Sequence, residues 1–139
     1  MDLDFALIAD AAEAVNGKLH LINGAFDMIW TNQVPLTYPR ISFVIRLLMD
    51  ASEVGRKHKI EISIMSEDGK RVGPTVGGEL EVQRSPHLPK GWKQGFLAVV
   101  NIASLKFPDF GDYSFELMVN DSCLKSVPLR LAQKASIQS

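Results

Sequence analysis

The sequence predicts an all-β domain, built as a two-sheet antiparallel β-sandwich of immunoglobulin-like type with about eight strands. Short runs of alternating apolar and polar residues recur along the chain. Clusters of Gly, Pro, Asn and Asp separate these runs at intervals of roughly ten to fifteen residues. The chain has 139 residues, 46% of them apolar, which is enough material for one packed core. We therefore expect a single domain over residues 1–131 and a frayed tail over residues 132–139.

The N-terminal segment, residues 4–15, is compatible with a helix or with a strand. Its alanine-rich stretch has high helix propensity. Against a helix, Asn16-Gly17 is a strong signal for a two-residue hairpin turn, because both central residues of that turn need positive φ. Strand-like alternation follows at once in residues 18–22, so the sequence favours a hairpin. The apolar positions change parity after Asn23, which predicts a bulge at Gly24 where a long strand twists or changes sheets.

The clearest strand covers residues 41–50. One of its faces carries Ile41, Phe43, Ile45, Leu47 and Met49, and the other carries Ser42, Val44, Arg46, Leu48 and Asp50. Similar alternation predicts further strands near residues 57–64, 78–83, 96–102, 113–119 and 127–131. Pro128 lies inside the last run and cannot donate a ladder hydrogen bond. It therefore predicts that this strand is an edge or is bulged there.

Charge and composition exclude several partner classes. The net charge of −1 lacks the basic excess that phosphate neutralisation requires, so no nucleic-acid partner is expected. No apolar run has the length of a membrane span, and acids at positions 2 and 4 are unlike a secretory signal. One cysteine, Cys123, permits no intrachain disulfide. These features predict a cytoplasmic protein with no membrane partner.

The residues that carry chemistry are dispersed. His20, His58 and His87 lack a second ligand at a zinc-like spacing, and no glycine-rich phosphate loop or nucleophile elbow is present. His58 falls on the apolar face of its strand and is expected to be partly buried with a local hydrogen bond. The sequence therefore predicts no catalytic residues, no metal site and no cofactor.

The loops at the ends of the sandwich supply an alternative function, binding of a small ligand or calcium. The candidate residues are His87, Trp92, Asp109 and Asp112, with Glu67-Asp68 in a further turn. Calcium needs six to eight oxygens that converge from adjacent loops, and turns recruit Asp for backbone reasons as well. Solvated turn acids are the favoured interpretation. For Trp92, capping the end of the sandwich is favoured over a binding contact.

The outward positions of three strands are apolar. They are Val44 and Leu48 on one strand, Leu97 and Val99 on a second, and Met118 on a third. In an immunoglobulin-like order these strands would share one sheet, so their outer face would carry a contiguous apolar patch. Such a patch generally marks an interface. The leading hypothesis is a non-enzymatic interaction or structural module that docks a protein or dimerises there. The alternative is that the N-terminal segment packs over this face.

Three stretches resemble a bacterial domain family of unknown function. They are Leu7-Ile8-Ala9-Asp10-Ala11-Ala12 with Asn16-Gly17-Lys18-Leu19 and Gly24, then Gly55-Arg56-Lys57-His58-Lys59 into Glu67-Asp68-Gly69, and Gly111-Asp112-Tyr113-Ser114-Phe115-Glu116-Leu117 into Val127-Pro128-Leu129-Arg130. The resemblance extends from about Ala6 to Leu131. It implies bacterial origin and a stand-alone β-sandwich, and it implies no activity and no catalytic residues.

Overall fold

The computed structural model describes residues 1–134, and it contains nine strands and no helix within that range. The strands are β1 (Asp2–Val15), β2 (Lys18–Gly24), β3 (Met28–Thr31), β4 (Leu36–Met49), β5 (Lys57–Ser66), β6 (Arg71–Glu81), β7 (Gln94–Phe107), β8 (Gly111–Val119) and β9 (Ser122–Gln133). The all-β prediction is confirmed, with one strand more than expected. No helix in this part of the chain could cross a lipid bilayer.

The strands form two sheets. The four-stranded sheet has the order β2-β1-β4-β7, and the five-stranded sheet has the order β3-β9-β8-β5-β6. All neighbouring strands pair antiparallel except β3 and β9, which run parallel. The parallel pair departs from the antiparallel expectation. The chain leaves the four-stranded sheet after β2, adds β3 to the five-stranded sheet beside β9, and returns to the first sheet at β4.

The N-terminal segment is a strand, as the hairpin interpretation predicts. β1 and β2 pair antiparallel around Asn16 and Gly17, whose φ angles are 51° and 73°. These are the positive values that a type I′ turn requires at both central residues. Turn chemistry has therefore overridden the helix propensity of the alanines.

The chain changes sheets just after Gly24, although not through a bulge in one long strand. β2 ends at Gly24, and β3 begins at Met28 in the other sheet. Between them Ala25 has a φ of 62°, and its amide donates to the Ile8 carbonyl at 2.8 Å. The parity change in the sequence therefore reflects two separate strands joined by a short crossover.

The inner faces of the two sheets pack against each other around one core. The Phe43 ring from β4 stacks on the Phe115 ring from β8, with centroids 5.5 Å apart and an interplanar angle of 18°. Both side chains are fully buried. The rest of the core comes from alternate positions of both sheets, including Ile41, Ile45, Leu47, Ile62, Ile64, Leu117 and Leu129. The packing is therefore sandwich-like.

β7 and β9 each contain an irregularity that shapes their edges. Ser104 in β7 has a φ of 52°, and beyond it Leu105 and Phe107 are buried in the core, although alternation would place them outside. Pro128 in β9 pairs with Ser114 of β8, whereas β3 pairs with β9 only from Arg130 onward. The prediction that this strand is an edge is therefore wrong for β9 as a whole, which lies between β3 and β8, although β9 has a single partner strand at Pro128. β9 continues through Gln133, so the predicted tail begins inside a strand, and residues 135–139 lie outside the described residues.

Replacing Phe115 with alanine tests the contact between the sheets. We expect Phe115→Ala to lower the free energy of unfolding by about 3–5 kcal/mol, because it leaves a cavity against Phe43. Urea denaturation followed by circular dichroism measures the change. The matched control is Trp92→Ala, since Trp92 is 68% exposed and should change the free energy by no more than about 0.5 kcal/mol. Equal losses in the two variants would contradict this view of the core.

Candidate functional site

The outer face of the four-stranded sheet carries a second apolar cluster, separate from the main core. Ala9, Ala12 and Val44 are buried in it, and Phe5, Leu7, Leu19, Leu97 and Val99 pack around them. The cluster takes side chains from all four strands of the sheet. Val44 and Val99 are directly opposite on neighbouring strands, as are Leu7 and Val44. Three of the five residues predicted as an interface, Val44, Leu97 and Val99, therefore lie together.

The β1–β2 hairpin covers the middle of this cluster. β1 pairs with β4 only as far as Ala9, and its remaining residues approach β7, although β4 lies between the two strands in the sheet. Ala12 and Ala14 line a surface cleft together with Val99 and Asn101 of β7. Val44 consequently has no exposed surface. The sequence left open that the N-terminal segment packs over this face. The structure agrees at Val44, and the segment that covers it is a β-hairpin and not a helix.

Polar contacts hold the hairpin in place. The Tyr38 hydroxyl donates to one oxygen of Asp10, and the Asn23 side-chain amide donates to the other at 2.9 Å. Below the hairpin, the buried Ser42 hydroxyl donates to the side-chain oxygen of Asn101. Burial, together with the hydrogen bond to Asp10 and the charge of Asp10, raises the pKa of Tyr38 to about 12. Sequence reasoning missed this clamp, because nothing in the spacing of residues 10, 23 and 38 indicates that they meet.

Removing the Tyr38 hydroxyl tests the clamp. We expect Tyr38→Phe to lower the free energy of unfolding by roughly 1.5 kcal/mol, because the partly buried Asp10 loses a donor. Backbone amides of β1 beyond Ala9 should exchange faster with deuterium, while those of β5 and β8 serve as the internal control.

The pH dependence of the clamp has a defined sign. In the folded chain the pKa of Tyr38 lies above its ordinary value of 10.0. The stabilisation is therefore complete below pH 10 and is lost as the pH rises through about 12. The difference in stability between the native chain and Tyr38→Phe should shrink across that range. A constant difference would mean that Asp10 and Tyr38 are not coupled.

The remaining predicted interface residues are divided between the sheets. Leu48 is partly exposed on the outer face of β4, between its partners Asp2 and Gly95. Met118 lies on β8, which pairs with β5 and β9 in the five-stranded sheet. The prediction that Met118 shares a face with Val44 and Leu97 is wrong. Alternation shows which residues share a face of a strand, but it does not show which sheet contains the strand.

β7 differs from the other edge strands of the described chain. It pairs only with β4, and from Gln94 to Leu105 it carries no charged residue and no proline. Among the other edges, β3 has only 4 residues, and β2 has 7 and begins with Lys18. β6 contains Pro74, three glycines and several charges. Short length, proline and charge are the usual protections of a sheet edge, and β7 has none of them between Gln94 and Leu105.

Both faces of β7 carry partly exposed apolar side chains. Leu97 and Val99 point to the outer face, where they border the second cluster. Phe96, Ala98 and Val100 point inward and line an apolar groove of about 190 Å³ between β7 and β6. Gly77 and Gly78 of β6 form part of the opposite wall, where a Cβ atom on Gly77 would lie 2.9 Å from the Ile60 carbonyl oxygen. The groove therefore opens beside the unpaired edge of β7.

The loop residues predicted to bind a ligand do not meet. His87 and Trp92 lie in the connection before β7, whereas Asp109 and Asp112 follow its end, so a strand of 14 residues separates the two pairs. Trp92 is 68% exposed, which contradicts its predicted role as a cap. A single site that uses all four residues is therefore wrong, because the loops were grouped without knowing the strand directions.

Glu67, Asp68, Asp109 and Asp112 do line one cleft, of about 160 Å³. The Arg130 guanidinium donates to both oxygens of Asp112, at 2.6 and 3.0 Å, and holds the pKa of that carboxyl below its usual range. Lys70 and Arg71 line the same cleft. Within residues 1–134 no group of three or more His, Cys, Asp or Glu side chains is arranged to hold a metal ion. The cleft therefore carries charged side chains of both signs, and Asp112 is already paired with Arg130.

His58 and Cys123 are both engaged by neighbouring groups. His58 is 7% exposed; its Nε2 lies 2.8 Å from the Glu53 carbonyl oxygen, and the Asn120 side-chain amide lies 3.1 Å from its Nδ1. These contacts fit donation from Nε2 to the Glu53 carbonyl and acceptance at Nδ1 from the Asn120 amide. The Cys123 thiol donates to Glu116 at 3.4 Å. His58 is thus a buried histidine with local hydrogen bonds, as the sequence predicts.

Taken together, these features describe a small all-β domain with two packed sheets, one partly covered outer face and one edge strand that lacks the usual protections. Residues 4–132 match the family of unknown function DUF6941, and the chain belongs to that family. The match covers nearly the whole chain and confirms the resemblance to an uncharacterised domain family. No curated protein matches the chain.

Proposed function

We propose that this chain is a non-enzymatic, cytoplasmic interaction module that docks a protein partner along β7. The main support is a contrast between the apolar composition of β7 and its position at the edge of a sheet. Strands that are apolar on both faces normally lie inside a sheet that is covered on both sides. β7 has this composition over Phe96–Val100, yet it lies at an edge with one neighbour. A partner strand paired with its free edge would turn β7 into an interior strand, which is the position that its apolar sequence fits.

Docking at β7 would combine backbone pairing with side-chain contacts. The open edge offers amide and carbonyl groups for a further strand, and such main-chain bonds supply affinity in strand addition. Leu97 and Val99 outside, with Phe96 and Val100 inside, would then supply specificity through alternate side chains. These residues are partly buried already, so each would contribute less than the roughly 1.5–3 kcal/mol of a fully buried apolar side chain. Among the five residues that the sequence predicts as an interface, only Leu97 and Val99 belong to the proposed docking strand.

We also propose that the two sheets form an immunoglobulin-like sandwich. Taking β1, β4 and β7 as strands A, B and E, and β5, β8 and β9 as C, F and G, reproduces the division of those strands between two sheets. Tyr113 supports the assignment. It lies near the start of β8, and its hydroxyl donates to the Asp109 carbonyl at 2.6 Å, the geometry of a tyrosine corner before strand F. With these labels, Met118 belongs to strand F and so to the opposite sheet from Val44.

Site-specific photo-crosslinking in the cells that naturally produce the protein tests docking at β7. A photo-reactive amino acid at position 97 should give cross-linked species, because Leu97 borders the open edge. The same probe at position 22 is the matched control, since Ile22 is 64% exposed but lies on β2. Adding Ala103→Lys should abolish the position-97 products, because a lysine on an edge strand opposes pairing. Products that are equal at both positions, or that survive Ala103→Lys, would exclude β7 as the docking strand.

A further inference from the structure

We infer that the partner at β7 is a second copy of this chain, and that the two β7 strands pair antiparallel across a two-fold axis. The two four-stranded sheets would then form one continuous sheet of eight strands. This inference rests on the proposed function, since it names the occupant of the same edge.

Composition distinguishes self-pairing at β7 from self-pairing at the other long edge. An isologous interface brings each strand next to itself, so charges in the middle of the strand face charges of the same sign. β7 has no charged residue between Gln94 and Leu105, and Lys106 lies beyond the bend at Ser104. β6, by contrast, contains Pro74, which cannot donate a ladder hydrogen bond, and three glycines, which weaken a strand. β7 is therefore the long edge that can pair with itself along an unbroken ladder and without like charges at its centre.

The side chains of β7 match under this symmetry. The straight part of the strand lies between Gln94 and the bend at Ser104, and Val99 is its midpoint. Residues directly opposite in an antiparallel pair point to the same face. With the axis at Val99, Phe96 would face Ile102 of the second copy, and Ala98 would face Val100. On the outer side Leu97 would face Asn101. Both inner pairs are apolar, so in this register the apolar inner face of the sheet would continue from one copy into the other.

The ladder would make about as many hydrogen bonds as a typical protein interface. Nine residues on each side, 95–103, would make about nine inter-strand hydrogen bonds, since antiparallel strands make roughly one bond per residue pair. A typical protein interface carries about 10 ± 5 direct hydrogen bonds. The pairing would also place the partly buried Phe96 of each copy against Ile102 of the other. The edge of β7 thus supplies both the polar and the apolar contacts that association needs.

Sedimentation equilibrium of the purified chain over a wide concentration range tests the inference. We expect a reversible species of twice the 15.4 kDa chain mass. Leu97→Lys/Ala103→Lys should be a monomer, because lysines at these positions would lie diagonally adjacent across the axis. Ile22→Lys, a charge of the same sign on β2, should remain dimeric. Melting temperatures of all three chains show whether each variant is folded.

Cysteine cross-linking locates the contact independently of stability. In a Cys123→Ser background, Val99→Cys should cross-link to itself with a short bismaleimide, and an equal mixture of Leu97→Cys and Asn101→Cys should give the mixed product. Ile22→Cys should give none. A native chain that is monomeric at every concentration, or a dimer that cross-links only through position 22, would overturn the inference. If the chain is monomeric but position 97 still photo-cross-links another protein, docking at β7 stands and only the identity of the partner is wrong.

Discussion

The burial of β4 on both faces is the constraint on which the rest of this structure depends. On one face Phe43 stacks on Phe115 of the opposite sheet and anchors the main core. On the other, Val44 is fully covered by the second apolar cluster. A strand that is apolar on both sides requires a layer above and a layer below. The five-stranded sheet supplies one layer, and the N-terminal hairpin, bent across the outer face, supplies the other.

β7 has the same two-faced composition as β4 but not the same surroundings. Its outer residues border the hairpin, and its inner residues border the groove beside β6, so neither face is fully covered. Its far edge has no neighbour. In most domains local composition agrees with position in the fold, and a disagreement of this kind points to function. Binding at β7 would resolve the disagreement without rearranging the domain.

The sequence predicted the strands well because alternation and turn chemistry are local. Asn16-Gly17 identified the first hairpin, and the residues around Gly24 indicated a change of sheet. Pro128 marked the part of β9 that has a single partner strand. What could not be predicted was pairing. Met118 alternates like a residue of either sheet, and only the hydrogen bonds between β8 and its neighbours place it away from Val44.

The surface was harder to predict than the strands for the same reason. Whether Val44 is exposed depends on how far the hairpin bends, and bending is set by long-range contacts such as that between Asp10 and Tyr38. The separation of Trp92 from Asp109 depends on the direction of β7, which alternation does not show. A local signal for the edge was nevertheless present. The uncharged stretch from Gln94 to Leu105 is visible in the sequence, and it becomes informative once β7 is known to lie at the end of a sheet.

The uneven protection of the sheet edges has a consequence for aggregation. A domain with two open, adhesive edges could add further copies indefinitely and grow into a fibre. Here the opposite border of the same sheet is β2, which is short and begins with a lysine, and the hairpin over the outer face blocks stacking of one sheet on another. Association through β7 would therefore occupy the one edge of this sheet that is open to pairing in each copy, and assembly would end at a closed dimer.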